Sequence, residues 1–246
     1  MDRGRTAIVT GAGKRVGRAI AEALLADGWT VVAHVHHVDD SVPEGAARVV
    51  ADLAEPTSAD LIFTAAEQLP PVSLLVNNAA RFAHDGFGSF NLAEFDAHMA
   101  INVRAPLLLS EAFAQRHGGG DALIVNLLDA KLAAPNPDFL SYTLSKQALA
   151  GLTGLTARAY ADRGIRVNAI APALMLRSPG QSEANFAASH ALNPLGRGVT
   201  PADVVAALRY LVDAPAVTGQ TLVIDGGQQF MALGRDVQFL VAKDDA

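Results

Sequence analysis

Tyr142 and Lys146 stand four residues apart in a segment with helical patterning, so their side chains share one helix face. A phenol and an ammonium placed this way suit proton transfer. The nearby positive charge favours phenolate, so Lys146 is expected to lower the Tyr142 pKa toward a useful range. Tyr142 can then donate a proton as a hydride reaches a neighbouring atom. The Y-x-x-x-K spacing is common by chance. It gains weight because the helix follows the fifth in a series of predicted strands, and in a doubly wound sheet the carboxyl ends of the strands open on the ligand crevice.

A second chemistry sits at the start of the chain. A short apolar run, Thr6 to Thr10, leads into Gly11-Ala12-Gly13-Lys14-Arg15-Val16-Gly17 and then into a helix. Glycines between a strand and a helix let the backbone turn sharply and approach a pyrophosphate, at which the helix aims its first amides. The spacing 11, 13, 17 is one residue longer than the G-x-G-x-x-G fingerprint. Lys14 and Arg15 place fixed positive charge in the loop, suited to the 2′-phosphate of NADPH. An acidic residue ending the second strand would instead bind the ribose hydroxyl of NAD. That strand ends at His34-Val35-His36-His37, with no acid at the end itself. The histidines are candidates to assist with the phosphate, and Asp39 and Asp40 read as solvated turn residues.

The elements that would hold these groups alternate. Strands are predicted at Thr6–Thr10, Thr30–Val35, Arg48–Leu53, Leu74–Val76, Ala122–Leu127, Ile165–Ile170 and Gln220–Ile224. Helices are predicted at Arg15–Ala26, Thr57–Gln68, Leu92–Arg116 (bent at Pro106), Ser141–Arg163 and Thr200–Asp213. The last has Thr200 as N-cap, Pro201 at N1 and Asp203 in its first turn. Successive βαβ units imply one α/β domain over 1–246, a Rossmann-like, doubly wound parallel sheet of about seven strands with helices on both faces. Gly118-Gly119-Gly120 reads as a tight surface turn. Residues 173–198 form a long, less regular segment, the candidate substrate loop. The tail 228–246 is longer than the fold requires.

Composition narrows the partners. The chain has 246 residues, half of them hydrophobic, and a net charge of −6, which argues against nucleic acid or an anionic membrane as the main partner. It has no cysteine, so disulfides, thiolate metal sites and a cysteine nucleophile are excluded. No metal site is assigned. No signal peptide and no apolar run long enough to span a membrane are visible, and the expected location is the cytoplasm.

Taken together, Thr10 to Gly17, Asn77-Asn78-Ala79, Asn102, Tyr142 to Lys146, Pro172 and Asp225-Gly226-Gly227 resemble the short-chain dehydrogenase/reductase family, in family order and over nearly the whole chain. The resemblance implies Tyr142 as proton donor, Lys146 also holding the nicotinamide ribose, and Asn102 holding a water of the proton relay. It implies Asp52 and Leu53 flanking the adenine, and Gly11, Gly13, Val16, Gly17, Asn78, Ala79, Ala80 and Pro172 lining the cofactor site. It also implies a homotetramer formed through long helices, including the one bearing Tyr142.

Two positions depart from the usual pattern. Arg15 replaces a loop glycine, and Asp129 stands thirteen residues before Tyr142, where the family usually has serine. Both changes resemble the pteridine and dihydromonapterin reductase branch, as do Ala80-Arg81-Phe82 and Ala173-Leu174. In that branch Asp–Tyr–Lys replaces Ser–Tyr–Lys, and the loop arginine contacts cofactor phosphate and is a candidate substrate contact. Phe82 would stack on the pterin, and Leu174 is a candidate substrate contact. An ionised carboxylate repels a ketone oxygen but accepts from N–H donors, which a pterin offers. The resemblance therefore implies NADPH-dependent reduction of a dihydropterin such as dihydrobiopterin, dihydromonapterin or dihydrofolate. Two alternatives stay open: a carbonyl or 3-oxoacyl thioester reductase, and a nucleotide-binding sensor without turnover.

Overall fold

A computed structural model describes residues 4–177 and 181–240. Residues 1–3, residues 178–180 of the expected substrate loop and residues 241–246 of the tail lie outside the described residues. Seven parallel strands form one sheet in the order β3-β2-β1-β4-β5-β6-β7. They are β1 Thr6–Val9, β2 Thr30–Val35, β3 Ala47–Val50, β4 Val72–Asn77, β5 Ala122–Leu127, β6 Ile165–Pro172 and β7 Thr221–Ile224. Strand order reverses between β1 and β4, so the chain leaves these two neighbours toward opposite faces and opens a crevice at their carboxyl ends.

Strand parity divides the core. Ala7 and Val9 of β1, Leu74 and Val76 of β4, and Leu123 and Val125 of β5 face one side. There they meet Ile20 and Leu24 of helix α1 (Arg15–Ala26) and Val204, Leu208 and Leu211 of α7 (Pro201–Asp213). Ile8, Leu75 and Ile124 alternate to the other side. They pack against Ile62 and Phe63 of α2 (Ser58–Thr64) and Leu109 and Phe113 of α4 (Ala105–Arg116). A sheet covered on both faces explains why β1 and β5 are buried throughout rather than alternating.

Three predicted elements change shape. The expected helix over 92–116 is α3 (Leu92–Met99), a π-helical turn (Ala100–Arg104) and α4. Pro106 lacks the N–H that would bond the carbonyl four residues back, that of Asn102, and the ladder is reset just ahead of it. The long helix α5 runs Leu140–Ala159 and yields to a 3-10 turn at Ala161–Arg163. The region 173–198 is not loop throughout: Glu183–His190 forms α6, with the Ser182 side chain accepting from the Asn185 N–H. In the tail, a 3-10 turn (Gln228–Met231) precedes α8 (Val237–Leu240). The expected capping box at Thr200 and Asp203 is present. Gly119 and Gly120 take positive φ in open space, as a surface turn requires. Among the described residues, no helix is long and apolar enough to cross a membrane.

Candidate active site

The glycine turn is built for close backbone approach. Gly11 has φ 65°, a conformation that favours glycine. A Cβ on Gly17 would collide with the Gly11 carbonyl and the Asn78 side-chain amide. The Thr10 hydroxyl accepts from the N–H groups of Asn78 (2.9 Å) and Ala79 (3.0 Å), while the Asn78 amide donates to the Thr10 carbonyl at 2.7 Å. The Asn77-Asn78-Ala79 segment therefore staples the end of β4 to the turn across the crevice. The turn also suits an anion. Helix α1 has no acidic residue in its first turn and no side chain capping its amides, and Lys14 and Arg15 are exposed beside it.

His34 requires a correction. It is buried, and its Nδ1 accepts the Gly11 N–H at 3.1 Å, which leaves Nε2 to donate to the Ala51 carbonyl at 3.0 Å. Burial lowers its pKa and keeps the ring neutral. With both nitrogens engaged, His34 props the turn from behind and offers no group to a phosphate. His36 and His37 are exposed, their rings 4.0 Å apart, and His36 Nε2 lies 3.8 Å from an Asp52 oxygen. Asp40 accepts the His37 N–H at 3.0 Å as a turn residue. Leu53 is buried in the core beneath Asp52. Val16 is partly buried, Ala80 is exposed, and Pro172 ends β6, buried.

Arg15 reaches across the crevice. Its guanidinium donates to the carbonyls of Arg177 (3.0 Å) and Leu176 (3.3 Å), tying the glycine turn to the segment that leaves β6. Arg15 itself has φ 53°, an uncommon backbone for a non-glycine residue.

The catalytic candidates converge at the start of α5. The Tyr142 hydroxyl donates to Asp129 Oδ2 at 2.9 Å, and Asp129 Oδ1 accepts the Lys131 N–H at 2.8 Å. Lys146 is buried and donates to the Leu127 carbonyl at 2.6 Å. The expected lowering of the Tyr142 pKa is overturned. Burial, then the charge and hydrogen bond of Asp129, push it well above the ordinary tyrosine value. Tyr142 is thus held as a neutral phenol with its proton toward Asp129. Burial brings Lys146 down to about 8, opposed by the charge of Asp129.

Asn102 lies buried in the π turn. Its amide donates to the Ser145 hydroxyl (2.9 Å) and the Arg81 carbonyl (3.0 Å), and its Oδ1 accepts the Arg81 N–H (2.8 Å). Its side-chain donors are spent on positioning, and Pro106, four residues on, has no N–H to offer its main-chain carbonyl. Phe82 is 49% exposed. Its ring stacks on Phe139 at 4.6 Å and meets Tyr142 edge-on at 4.8 Å. Leu174 lines the same pocket, together with Asp129, Tyr142 and Phe82.

Several contributors carried no sequence signal. Phe139 takes φ 55° at the head of α5, and Asp85, buried 56 residues upstream, accepts from the Ser141 N–H at 2.9 Å and from its hydroxyl. The tail closes over the pocket within the same chain. Arg235 donates to both Asp138 oxygens (3.0 and 2.8 Å), and Phe239 stacks on Phe139 at 5.9 Å. Asp236 lines the pocket. Burial raises its pKa, and the charges of Asp129 and Asp138 add to that rise. Asp225 accepts the Gly227 and Gln229 N–H groups, which fixes the turn expected at 225–227.

Known proteins resemble the chain in sequence and in fold. Residues 11–229 match the family described as enoyl-(acyl carrier protein) reductase. The chain is 34% identical to 3beta-hydroxysteroid dehydrogenase 1 of Eggerthella lenta, over 92% of this chain and 94% of that protein. It is similar to the crystal structure of FolM alternative dihydrofolate reductase 1 from Brucella suis in complex with NADP, with a TM-score of 0.87 and 34% identity over 94% and 97% of the two chains. A blue fluorescent protein from a metagenomic library, in complex with NADPH, matches with a TM-score of 0.80 and 28% identity over 92% and 98%. With its glycine turn, its Asn102–Tyr142–Lys146 set and these relatives, the chain belongs to the short-chain dehydrogenase/reductase family and is an oxidoreductase.

Proposed function

We propose that this protein uses NADPH to reduce a dihydropterin-type substrate, with residues 1–246 acting as one dinucleotide-binding and catalytic domain. One observation carries the reading: Asp129 Oδ2, where the family usually has a serine hydroxyl, accepts the Tyr142 hydroxyl at 2.9 Å beside the half-exposed Phe82 ring. A carboxylate there accepts from ring N–H groups, and the open aromatic face suits a flat heterocycle. The likeness to a protein named an alternative dihydrofolate reductase supports the same substrate class. The NADP and NADPH held by the similar structures support the cofactor, as do the uncapped amides of α1 and the cations Lys14 and Arg15.

When bound, the dinucleotide supplies the hydride that reduces the substrate C=N carbon. Tyr142, held neutral by burial and Asp129, gives its proton to the adjacent ring nitrogen. Asp129 orients the Tyr142 hydroxyl and accepts from the substrate. The Lys146 ammonium holds the ribose, and the Asn102 carbonyl holds a water through which the tyrosine proton is replaced. Gly11, Gly13, Val16, Gly17, Asn78, Ala79, Ala80 and Pro172 would hold the cofactor, and His36, His37, Asp52 and Leu53 would serve its adenosine. Phe82, Leu174 and Arg15 border the substrate. The exposed Leu144 and Leu155 on α5 and Leu107 on α4 support assembly as a homotetramer, and the cysteine-free chain accords with the cytoplasm.

The test is NADPH oxidation by purified protein against dihydrobiopterin, dihydromonapterin, dihydrofolate, an acetoacetyl thioester and simple ketones. Turnover confined to the pterins upholds the reading. Turnover of the thioester or ketones alone assigns a carbonyl reductase instead, and NADPH binding without turnover of any compound assigns a sensor.

A further inference from the structure

The C-terminal tail brings a further carboxylate, Asp236, to a pocket lined also by Asp129 and by Asp225, whose oxygens bond the turn after β7. Arg235 is paired with Asp138 through two contacts of 3.0 and 2.8 Å, and the Asp236 N–H donates to the same carboxylate at 2.8 Å. Beyond them, Val237 is buried, its carbonyl accepts the Ser189 hydroxyl of α6 at 3.3 Å, and Phe239 lies on Phe139. These anchors hold Asp236 in one place, on the pocket wall with Asp129 and Tyr142. Asp236 Oδ1 accepts the Gln238 N–H at 3.2 Å, and Oδ2 accepts no hydrogen bond among the described residues. Of the cations nearby, Arg235 is paired with Asp138, while Lys131 rests its ammonium on the Asp138 carbonyl and attracts Asp236 through its charge without a hydrogen bond to it.

We propose that Asp236 is a substrate-contacting, specificity-determining residue: its carboxylate accepts an N–H or O–H donor of a neutral heterocyclic substrate and disfavours substrates with an anionic group close to the reacting ring. A carboxylate can only accept, so it rewards donor-bearing ligands and repels a second anion, most strongly where water is thinned. The ring's identity rests on the dihydropterin reading above, whereas the selection by charge does not.

Steady-state kinetics with saturating NADPH on Asp236→Asn and Asp236→Ala test this, using neutral dihydrobiopterin and a dihydropterin that carries a carboxylate directly on its ring. Asparagine keeps an oxygen to cap α8, so that variant isolates the charge. Both variants should raise KM for dihydrobiopterin roughly tenfold, the loss expected for a hydrogen bond to a charged group. NADPH affinity should stay unchanged, and the ratio of kcat/KM for the ring carboxylate over dihydrobiopterin should rise by about fivefold or more. In the unaltered enzyme, added salt should narrow the preference for the neutral substrate, a readout that depends on no variant. An unchanged ratio in folded Asp236→Asn, or a salt-independent preference, overturns the proposal. If the unaltered enzyme reduces no pterin, the reading above falls. The same variants are then compared on a neutral ketone and a keto acid, where a shift toward the acid upholds Asp236 and an unchanged ratio overturns it.

Discussion

The glycine turn and the cover over Tyr142 meet at the carboxyl end of the sheet, and they are constructed differently. The turn is backbone: Gly11 and Gly17 approach Asn78 closely, and Thr10 and His34 bond main-chain groups on either side. Its partners come from strand ends that the sheet already fixes. The cover is side chains gathered from distant segments. Asp129 and Phe139 come from the connection between β5 and α5, Phe82 from that between β4 and α3, and Asp236 from the tail, which the ion pair of Arg235 with Asp138 helps to tie down. In a family whose members share the turn, substrate choice can change in the cover without disturbing the part that holds the dinucleotide.

The largest test of this division is Tyr142→Phe. Removing the hydroxyl should cut kcat by about a thousandfold, within the range for a lost general acid, while leaving NADPH affinity nearly intact. Fluorescence titration with NADPH beside steady-state kinetics reads both. A comparable loss of NADPH binding would merge the two regions into one.

Lys146 lies at the seam, and its burial predicts a pH signature. Its pKa falls from an ordinary value of 10.5 to about 8 in the folded chain. The unfolded chain therefore binds more protons between those values, and stability gains with rising pH. Below about 8 the full cost of burying the ammonium is present, on the order of 3 kcal/mol, and above about 10.5 it vanishes because both states are neutral. Urea unfolding of wild type against Lys146→Met should show wild type gaining on the variant across that window. A difference independent of pH would mean that Lys146 is solvated and not part of a dry site.

The contrast between the regions also decides what was legible beforehand. Backbone requirements write themselves into residue type, so glycines at 11 and 17 and the apolar runs of β1 and β5 announce the turn and the sheet. Tyr142, Lys146 and Asp129 were readable because they sit at fixed offsets along one strand–helix unit. His34 was not, since a strand-end histidine faces solvent or core according to a one-residue parity that the sequence leaves open; the structure turns it inward, onto Gly11. The lowered Tyr142 pKa failed because burial penalises the phenolate and Asp129 takes the phenol, burial being a tertiary outcome that the Y-x-x-x-K spacing does not encode. Arg235 and Asp236 meet Asp138 across nearly a hundred positions, and α8 is too short to carry a periodic pattern, so the cover left no local trace.

Arg15 ties the glycine turn to the segment leaving β6, and it predicts the smallest effect. Its guanidinium rests on the Leu176 and Arg177 carbonyls, and its backbone belongs to the glycine turn. If it also serves the 2′-phosphate, Arg15→Ala should weaken NADPH by roughly tenfold and NADH by much less, the cost of one charge-assisted contact. Releasing the two carbonyls should raise the substrate KM by a few-fold as well, because the segment after β6 loses its tie to the turn. Equal weakening of NADPH and NADH would remove the phosphate role. An unchanged substrate KM would remove the bridge, leaving the turn and the cover coupled only through the sheet they share.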